Sequence, residues 1–469
     1  MKALEKIQSI CPICQKPIEA EYVEKSGKVF MRKVCQDHGS WEAYVAGCVK
    51  DFTDWTTYPV VNVPPEKTIT RGTEDRCPLN CGICDKHLQT ACCVLIDVTE
   101  RCNQQCPYCF AKSEQDTILE PDLAEIEKKY NFLLEMGDER PFNIHLSGGE
   151  PTLREDLPKI IGMGQKKGFV YIQINTNGRR LALDDEYAGI LKEAGASVIY
   201  LQFDGTEDRI YQTLRGEPLL KIKMKAIENC RKARLPVVLV PTVVKNVNLY
   251  NIGSMIEFLL NNLSVVKGIH FQPVSFFGRY PEKINQDGKK WTDFENRVTL
   301  FDVMHGVEKQ TSGKLKYKDF RPSSIGHTLC SFHASYRKYI DGSVKPIIDH
   351  NIDDSSEACC CNTSPADIMK KTRDYVLNKW NLPEQEKYNA CCEAHTGELY
   401  DKTGCCGSQT MDFDQFINEM RSNMFTVTGM AFQDMSNLDA QRLKRCRVQV
   451  LSPDNRLIPF CAYNSLYRK

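Results

Sequence analysis

The sequence predicts an α/β fold: a partial barrel of six parallel β/α units, (β/α)6, with a small N-terminal metal-binding knuckle module and a cysteine-rich C-terminal domain. Three observations lead to this prediction. Short apolar runs alternate with helical patterns in the middle of the chain, paired cysteine segments lie near the N-terminus, and cysteines recur in a loop-rich region after residue 280. The predicted boundaries are residues 1–60 for the knuckle, 61–93 for a linker that carries further cysteines, 94–280 for the barrel and 281–469 for the C-terminal domain.

Composition excludes several classes of function. The chain has 469 residues, of which 61 are basic and 61 acidic, so no net field attracts nucleic acid or an anionic membrane. No apolar run is long enough to span a bilayer, and the first residues lack the apolar core of a secretory signal. We therefore expect a cytoplasmic protein, in which the 23 cysteines bind metal rather than form disulfides.

The first module has the layout of a metal knuckle. Two cysteine-containing segments, CPIC at 11–14 and CQDHG at 35–39, flank a stretch that alternates between apolar and polar residues and is expected to form a hairpin turning at Ser26 and Gly27. All-cysteine ligation suits a rubredoxin-like mononuclear iron, whereas a histidine ligand favours zinc. The expected ligands are Cys11, Cys14 and Cys35, with His38 or Cys48 as the fourth.

The central region alternates strands with helices, which is typical of a parallel sheet whose chemistry lies on the loops at the carboxyl ends of the strands. Helical patterns cover residues 121–136, 157–167 and 249–263. The six predicted strands are residues 94–99, 142–149, 170–178, 197–205, 237–244 and 268–275.

A cysteine triplet follows the first predicted strand directly. Cys102, Cys106 and Cys109 place three thiolates on one loop, which would leave one iron of a cubane cluster open for chemistry. Tyr108 and Phe110 flank the last cysteine and supply an aromatic wall. A second triplet with the same spacing, formed by Cys77, Cys81 and Cys84, lies in the linker without a preceding strand. We assign this second triplet to an auxiliary cluster.

Together, the strand, the segment CNQQCPYCF, the helix and the segment LSGGEP on the second strand resemble the radical S-adenosylmethionine (SAM) superfamily. The resemblance implies a partial radical SAM barrel whose 4Fe–4S cluster cleaves SAM to a 5′-deoxyadenosyl radical, fed by a low-potential donor such as ferredoxin or flavodoxin. It implies that Glu150 binds the SAM amino group. The cofactor-binding residues implied in this way are Tyr108, Ser147, Gly148, Gly149, Glu150, Asn175, Asn177, Gln202 and Asp204.

The resemblance extends to a narrower subfamily that includes the archaeal tetraether-lipid synthase and enzymes proposed to methylate pterins. It covers the N-terminal knuckle, the segment CPLNCGICDKH and the C-terminal tail, residues 425–464. It implies auxiliary 4Fe–4S clusters. One would be held by Cys77, Cys81 and Cys84 with Cys92 (or Cys93), and the second by Cys330, Cys446 and Cys461 with a fourth ligand that the sequence does not name.

The subfamily resemblance favours hydrogen abstraction from an unactivated carbon of a lipid-like substrate, followed by carbon–carbon bond formation. Aromatic and aliphatic residues near the sixth strand, Phe271, Val274, Phe276, Phe277 and residues 425–435, would then line the substrate cavity. Two alternatives stay open: a radical SAM methyltransferase that uses a second SAM, and a non-catalytic iron–sulfur or soft-metal binding protein. The roles of the adjacent cysteines at 359–361, 391–392 and 405–406 also stay open.

Overall fold

The computed structural model describes most of the chain. The predicted fold class is confirmed within the described part. The adjacent cysteines of residues 359–361, 391–392 and 405–406 lie outside it. The described residues are 2–69, 77–111, 113, 120–137, 142–281, 283–284, 290–291, 297–347 and 423–468.

The N-terminal module is a four-stranded antiparallel sheet followed by a short helix. Ser26 and Gly27 connect the second and third strands with φ values of 54° and 76°. Two left-handed residues in succession form the tight turn that suits the twist of a hairpin, so the predicted turn is confirmed. The elements are β1 (Lys2–Ile10), β2 (Pro17–Lys25), β3 (Lys28–Cys35), β4 (Gly39–Ala46) and α1 (Val49–Thr56).

The barrel contains all six predicted strands, and each lies within its predicted range or a residue or two from it. The strands are β5 (Cys93–Thr99), β6 (Asn143–Gly148), β7 (Ile172–Thr176), β8 (Val198–Gln202), β9 (Val237–Val240) with the short β10 (Thr242–Val243), and β11 (Val266–Pro273). The helices are α2 (Leu123–Met136), α3 (Leu157–Lys166), α4 (Arg179–Leu183), α5 (Tyr187–Glu193), α6 (Asp208–Arg215), α7 (Leu220–Lys232) and α8 (Ile252–Asn261).

Adjacent strands from β5 through β9 to β11 pair in parallel. Residues alternate between two faces of this sheet, as pleating requires. Ile144 and Ile172 lie on one face, in a core that includes Leu133 and Ile160 from the covering helices. His145 and Gln173 lie on the opposite, inner face as cross-strand partners. The barrel therefore has an aliphatic outer layer and a partly polar interior.

The region after residue 280 extends the same sheet at both edges. Strand β17 (Met424–Met430) pairs in parallel with β11, and β18 (Val448–Leu451) pairs in parallel with β5. The elements are β12 (Lys283–Ile284), β13 (Lys290–Trp291), α9 (Leu300–Gln310), β14 (Arg321–Pro322), β15 (Ser331–Lys338), β16 (Val344–Pro346), β17 (Met424–Met430), α10 (Ala440–Lys444), β18 (Val448–Leu451), β19 (Leu457–Pro459) and α11 (Phe460–Ala462). In the described part of the chain, no helix is both long and apolar enough to cross a membrane.

Candidate active site and metal centres

The cluster loop, residues 100–110, leaves the carboxyl end of β5 and is held at its start by the segment that follows β6. The Gly149 amide donates to the Thr99 carbonyl and the Glu150 amide to the Arg101 carbonyl, both at 2.8 Å. A Cβ atom at Gly149 would lie 2.1 Å from the Arg101 carbonyl oxygen. The neighbour that requires glycine here is therefore the cluster loop itself, through its backbone. Ser147 and Gly148 complete β6 before this contact.

The far end of the cluster loop is held by the segment after β11. Cys109 and Arg279 exchange two backbone hydrogen bonds of 2.8 Å, and Arg279 Nε donates to the Cys106 carbonyl at 2.8 Å. Gly278 has a φ of 68°, and a Cβ there would lie 2.4 Å from the carbonyl oxygens of Cys109 and Phe110. The loop is thus fixed at both ends by backbone contacts that leave its thiols available.

The three thiols of Cys102, Cys106 and Cys109 lie close enough to influence one another electrostatically. Burial, together with the charges of Glu150 and the other two thiols, raises the pKa of Cys102 to about 12. Burial also raises the pKa of Cys106. Such thiols become thiolates when a cation is bound among them. Three of them on one loop fit a cubane cluster with one open iron.

Glu150 is 1% exposed and lies beside this loop. Its Oε1 accepts hydrogen bonds from the Thr152 hydroxyl and the Thr176 hydroxyl, both at 2.6 Å. Its Oε2 accepts one from the Asn177 amide at 2.7 Å, which leaves acceptor capacity on that oxygen. An oriented, buried carboxylate of this kind can bind an ammonium group, as predicted for the amino group of SAM.

The ends of β7 and β8 are tied to the cluster loop and to each other. Asn177 Nδ2 donates to Asn103 Oδ1 at 2.8 Å, which joins the end of β7 to the loop. Asn175 accepts from Gln173 Nε2 at 2.7 Å. The fully buried Lys223 ammonium reaches both the Asn177 carbonyl at 2.6 Å and Gln202 Oε1 at 2.8 Å. Burial lowers the pKa of Lys223 to about 7.

Asp204, predicted to bind the cofactor, forms an ion pair within the protein. Its carboxylate forms a two-point ion pair with Arg215, with an Nε–Oδ2 distance of 2.7 Å and an Nη2–Oδ1 distance of 2.8 Å. Arg215 Nη1 also donates to the Tyr108 carbonyl in the cluster loop at 2.9 Å. Asp204 therefore positions the loop through Arg215, and both of its carboxylate oxygens accept hydrogen bonds from within the protein. The Gln202 amide also has partners within the protein. Its Nε2 donates to the Asp204 carboxylate, and its Oε1 accepts from the Lys223 ammonium.

The inner face of the barrel carries an aromatic and polar group of side chains. The Tyr200 ring lies 6.2 Å from the His145 ring and 6.1 Å from the His270 ring, measured between centroids. His145 Nδ1 is 3.3 Å from Gln173 Nε2, and His270 Nδ1 is 2.8 Å from the Thr428 hydroxyl. Burial lowers the pKa of His145 to about 3 and that of His270 to about 4, so both rings are neutral near pH 7.

The knuckle module brings four predicted ligand atoms together. Those of Cys11, Cys14, Cys35 and His38 all lie within 4.8 Å of one another. The Cys14–Cys35 sulfur–sulfur distance is 3.9 Å. Tetrahedral zinc with Zn–S bonds of about 2.3 Å places its sulfur ligands about 3.8 Å apart, so the two distances agree. His38 Nδ1 is 3.5 Å from the Cys35 sulfur, whereas Cys48 is exposed and outside the group. The Cys3His set favours zinc over a rubredoxin-like iron.

The triplet of Cys77, Cys81 and Cys84 lines one cleft of about 480 Å³. Burial raises the pKa of Cys81, and the charges of the other two thiols add to that rise. This grouping suits an auxiliary cluster. Cys92 is not among the residues that line the cleft, and its sulfur lies 3.8 Å from that of Cys93. Neither position predicted for the fourth ligand, Cys92 or Cys93, therefore lines this cleft.

Three cysteines far apart in sequence form a third group. Cys330, Cys446 and Cys461 influence one another electrostatically, as predicted for a second auxiliary cluster. The Gln433 amide donates to the Cys461 sulfur at 3.2 Å, and Arg442 Nε donates to the Cys330 sulfur at 3.4 Å. Hydrogen bonds of this kind stabilise the thiolates that hold a cluster, and they tune the reduction potential of that cluster.

Sequence reasoning missed the basic side chains that support these sites. Arg215 and Arg279 fix the cluster loop, and Lys223 links two strand ends. Each is an isolated basic residue in a helix or loop, and no spacing rule connects it to the cysteines. The one available signal was position: Arg279 comes soon after the sixth predicted strand, at the carboxyl edge where the site lies.

A cysteine triplet on the loop after the first barrel strand, a buried glutamate beside it and a parallel partial barrel define a radical SAM enzyme. The family model described as "Radical SAM superfamily" matches residues 96–259, and the model described as "HMPTM N-terminal zinc ribbon domain" matches residues 3–47. A 7,8-dihydro-6-hydroxymethylpterin dimethyltransferase from Methanocaldococcus jannaschii is 34% identical over 99% of this chain and 94% of its own length. The chain belongs to the radical SAM superfamily and, within it, to the family of that protein.

Two further similarities are more partial. A probable GTP 3′,8-cyclase from Methanothermobacter marburgensis is 26% identical over 58% of this chain and 90% of its own length. The structure of SuiB from Streptococcus suis bound to S-adenosylmethionine aligns with a TM-score of 0.36 and 15% identity, covering 48% of each chain.

Proposed function

We propose that this chain is a radical SAM methyltransferase that acts on a reduced pterin or a closely related small nitrogen heterocycle. The observation that carries the proposal is the composition of the inner face of the barrel. The rings of His145, Tyr200 and His270 lie side by side there, next to the amide of Gln173 and the hydroxyl of Thr428. Stacking surfaces beside hydrogen-bonding groups suit a flat polar heterocycle. The near full-length similarity to the pterin dimethyltransferase supports the same substrate class.

A lipid-like substrate has less support. A chain of methylenes would need an aliphatic lining, since each methylene removed from water contributes about 0.8 kcal/mol. Phe271, one of the predicted lining residues, is fully buried in the core between sheet and helices and not on the inner face. Phe277 packs against Phe460, with ring centroids 6.1 Å apart. These two aromatic side chains pack in the protein core and do not line a substrate cavity. The site therefore gives less support to carbon–carbon coupling on a lipid.

Each part of the site has a role in this proposal. A 4Fe–4S cluster held by Cys102, Cys106 and Cys109 would supply the electron that cleaves SAM, after reduction by a low-potential donor. Glu150 would bind the SAM amino group at the rim of the barrel. Nδ1 of each neutral ring already has a partner in Gln173 or Thr428, so His145 and His270 would each offer Nε2 to the ring nitrogens or carbonyl of the heterocycle.

The test is a reaction under anaerobic conditions with 7,8-dihydro-6-hydroxymethylpterin, SAM carrying a trideuterated methyl group, and a chemical reductant. The expected result is a pterin product heavier by one or two labelled methyl groups, together with 5′-deoxyadenosine, by mass spectrometry. The Cys102→Ala variant is the control and should give neither product. Formation of 5′-deoxyadenosine without any methylated pterin would contradict the proposed substrate, and an unlabelled methyl product would contradict SAM as the methyl donor.

A further inference from the structure

The auxiliary site at Cys77, Cys81 and Cys84 supplies three thiols, and a cubane cluster that is closed by protein needs a fourth ligand. Cys92 is not at the cleft that these thiols line. His87 does line it, together with the three cysteines. The four residues follow one another along a single loop in the order Cys-x3-Cys-x2-Cys-x2-His.

Local backbone structure places His87 at this cleft. The His87 amide donates to the Cys84 carbonyl at 3.0 Å, which closes a tight turn. The His87 side chain is only 4% exposed. The ring is therefore held at the cleft by the same loop that carries the cysteines.

The hydrogen bond on the other side of the ring determines its tautomer. His87 Nε2 lies 3.0 Å from the Cys446 carbonyl oxygen. The Gln449 amide nitrogen is 3.4 Å from Nε2, but it donates to the same carbonyl at 2.8 Å. The carbonyl oxygen is the nearer partner of Nε2 and accepts only, so Nε2 carries the proton and the neutral ring leaves an unprotonated lone pair on Nδ1. Within the described part of the chain, Nδ1 makes no hydrogen bond. An imidazole whose second nitrogen donates to a backbone carbonyl is the usual arrangement of a metal-binding histidine.

A purely structural role explains less. In that role His87 would only tie the loop to residue 446, which gives no reason for a ring nitrogen without a hydrogen bond at this cleft. Ligation satisfies Nδ1 and also completes the ligand set. The hydrogen bond to Cys446 adds a second consequence, because the Cys446 thiol belongs to the other auxiliary group, with Cys330 and Cys461.

We propose that His87 Nδ1 is the fourth ligand of an auxiliary cluster held by Cys77, Cys81 and Cys84. This site is a Cys3His iron–sulfur centre whose histidine is joined by one hydrogen bond to the backbone of a cysteine in the second auxiliary group. Replacing a thiolate by a neutral imidazole removes negative charge. The reduction potential of this cluster therefore lies above that of an all-cysteine cluster in the same place. The inference does not depend on the proposed substrate.

The experiment uses the full chain with Cys102, Cys106 and Cys109 all changed to Ala, reconstituted with iron and sulfide and measured without SAM. This background removes the SAM-binding cluster and any nitrogen signal from SAM itself. Histidine is supplied with either 14N or 15N, and the reduced protein is studied by pulsed electron paramagnetic resonance. The expected result is a nitrogen coupling on a cluster signal that changes with the isotope. It should persist in Cys92→Ala.

In His87→Cys the nitrogen coupling should disappear while the iron content is retained and the potential of one cluster falls. His87→Gln keeps a donor for the Cys446 carbonyl but offers no ligand nitrogen, and it too should lose the coupling. The inference is overturned if the background protein shows no histidine coupling, or if the coupling survives in His87→Cys. It is also overturned if Cys81→Ala lowers the iron content no further, since no cluster would then occupy this cleft. Zinc content reports that each variant retains its folded knuckle.

Discussion

Arg215 joins the end of one barrel strand to the loop that carries the cluster cysteines. Its guanidinium forms two hydrogen bonds with the Asp204 carboxylate, at 2.7 and 2.8 Å, and a third with the Tyr108 carbonyl at 2.9 Å. Both charged side chains are buried, so neither has water as an alternative partner. The geometry of the cluster loop therefore depends on a charge pair that belongs to neither the cluster nor SAM.

Asp204→Asn should strongly impair the enzyme. Removing one member of a buried ion pair leaves the other charge without compensation and costs about 3–5 kcal/mol. We expect a clearly lower melting temperature and a rate of 5′-deoxyadenosine formation reduced at least about tenfold. Glu207→Gln is the control, because the ion pair of Glu207 with Arg209 is exposed and contributes about 0–1 kcal/mol. Equal melting temperatures for the two variants would contradict this role of Asp204.

Gly278→Ala should displace the cluster loop. The new methyl group would meet the carbonyl oxygens of Cys109 and Phe110 at 2.4 Å, in addition to the cost of a left-handed conformation, about 1–2 kcal/mol. We expect less iron per chain after reconstitution and slower SAM cleavage. Gly342→Ala is the matched control, because Gly342 has a φ of 80° with nothing within 4 Å of the added atom. Iron contents that fall equally in both variants would assign the effect to backbone strain alone.

Cys102→Ala, Cys106→Ala or Cys109→Ala should each abolish SAM cleavage and remove about four iron atoms per chain, since each thiol is one of the three proposed protein ligands. The auxiliary clusters and the knuckle should retain their metal. Iron analysis and 5′-deoxyadenosine assays measure both effects. Cys230→Ala serves as control, because Cys230 is buried in the apolar core, as expected from its place in a helix. Undiminished 5′-deoxyadenosine in any of the three variants would refute the assignment.

The knuckle should hold one zinc ion per chain. His38→Ala should lose it and lower the melting temperature, since binding of a structural ion contributes to folding free energy. His38→Cys should retain an ion, because thiolate is an equivalent ligand. Cys48→Ala should behave as the parent does, since Cys48 is exposed and lies outside the ligand group. Mass spectrometry measures the zinc content of each variant. Loss of zinc in Cys48→Ala would contradict the ligand set.

The inner-face histidines should make the protein less stable in acid. Burial lowers the pKa of His145 to about 3 from an ordinary value of 6.5, so below pH 6.5 the unfolded chain binds more protons there than the folded one. The free energy of unfolding should fall as pH falls from about 6.5 to 4. His145→Gln should reduce this slope by about 1 kcal/mol per pH unit. Denaturant unfolding at several pH values measures it, and an unchanged slope would show that the ring protonates freely in the folded protein.

Much of the fold and site is determined by local sequence. The six barrel strands were predictable because each is a short apolar run between helical patterns, and the hairpin because Ser26 and Gly27 accept left-handed conformations. The cysteine triplets were predictable as groups because their members lie within eight residues of one another. In such short segments, the ligands come together whenever the loop closes.

Tertiary structure decided the choices between residues distant in sequence. His38 rather than Cys48 completes the knuckle because the turn after β3 brings its ring to the thiols, while Cys48 lies beyond β4. Asp204 pairs with Arg215 because a strand end and a helix end meet beneath the cluster loop. Strands β17 and β18 flank the barrel strands on opposite sides, next to β11 and β5, although they are close in the chain. Such pairings depend on packing between whole elements, for which local sequence patterns contain no information.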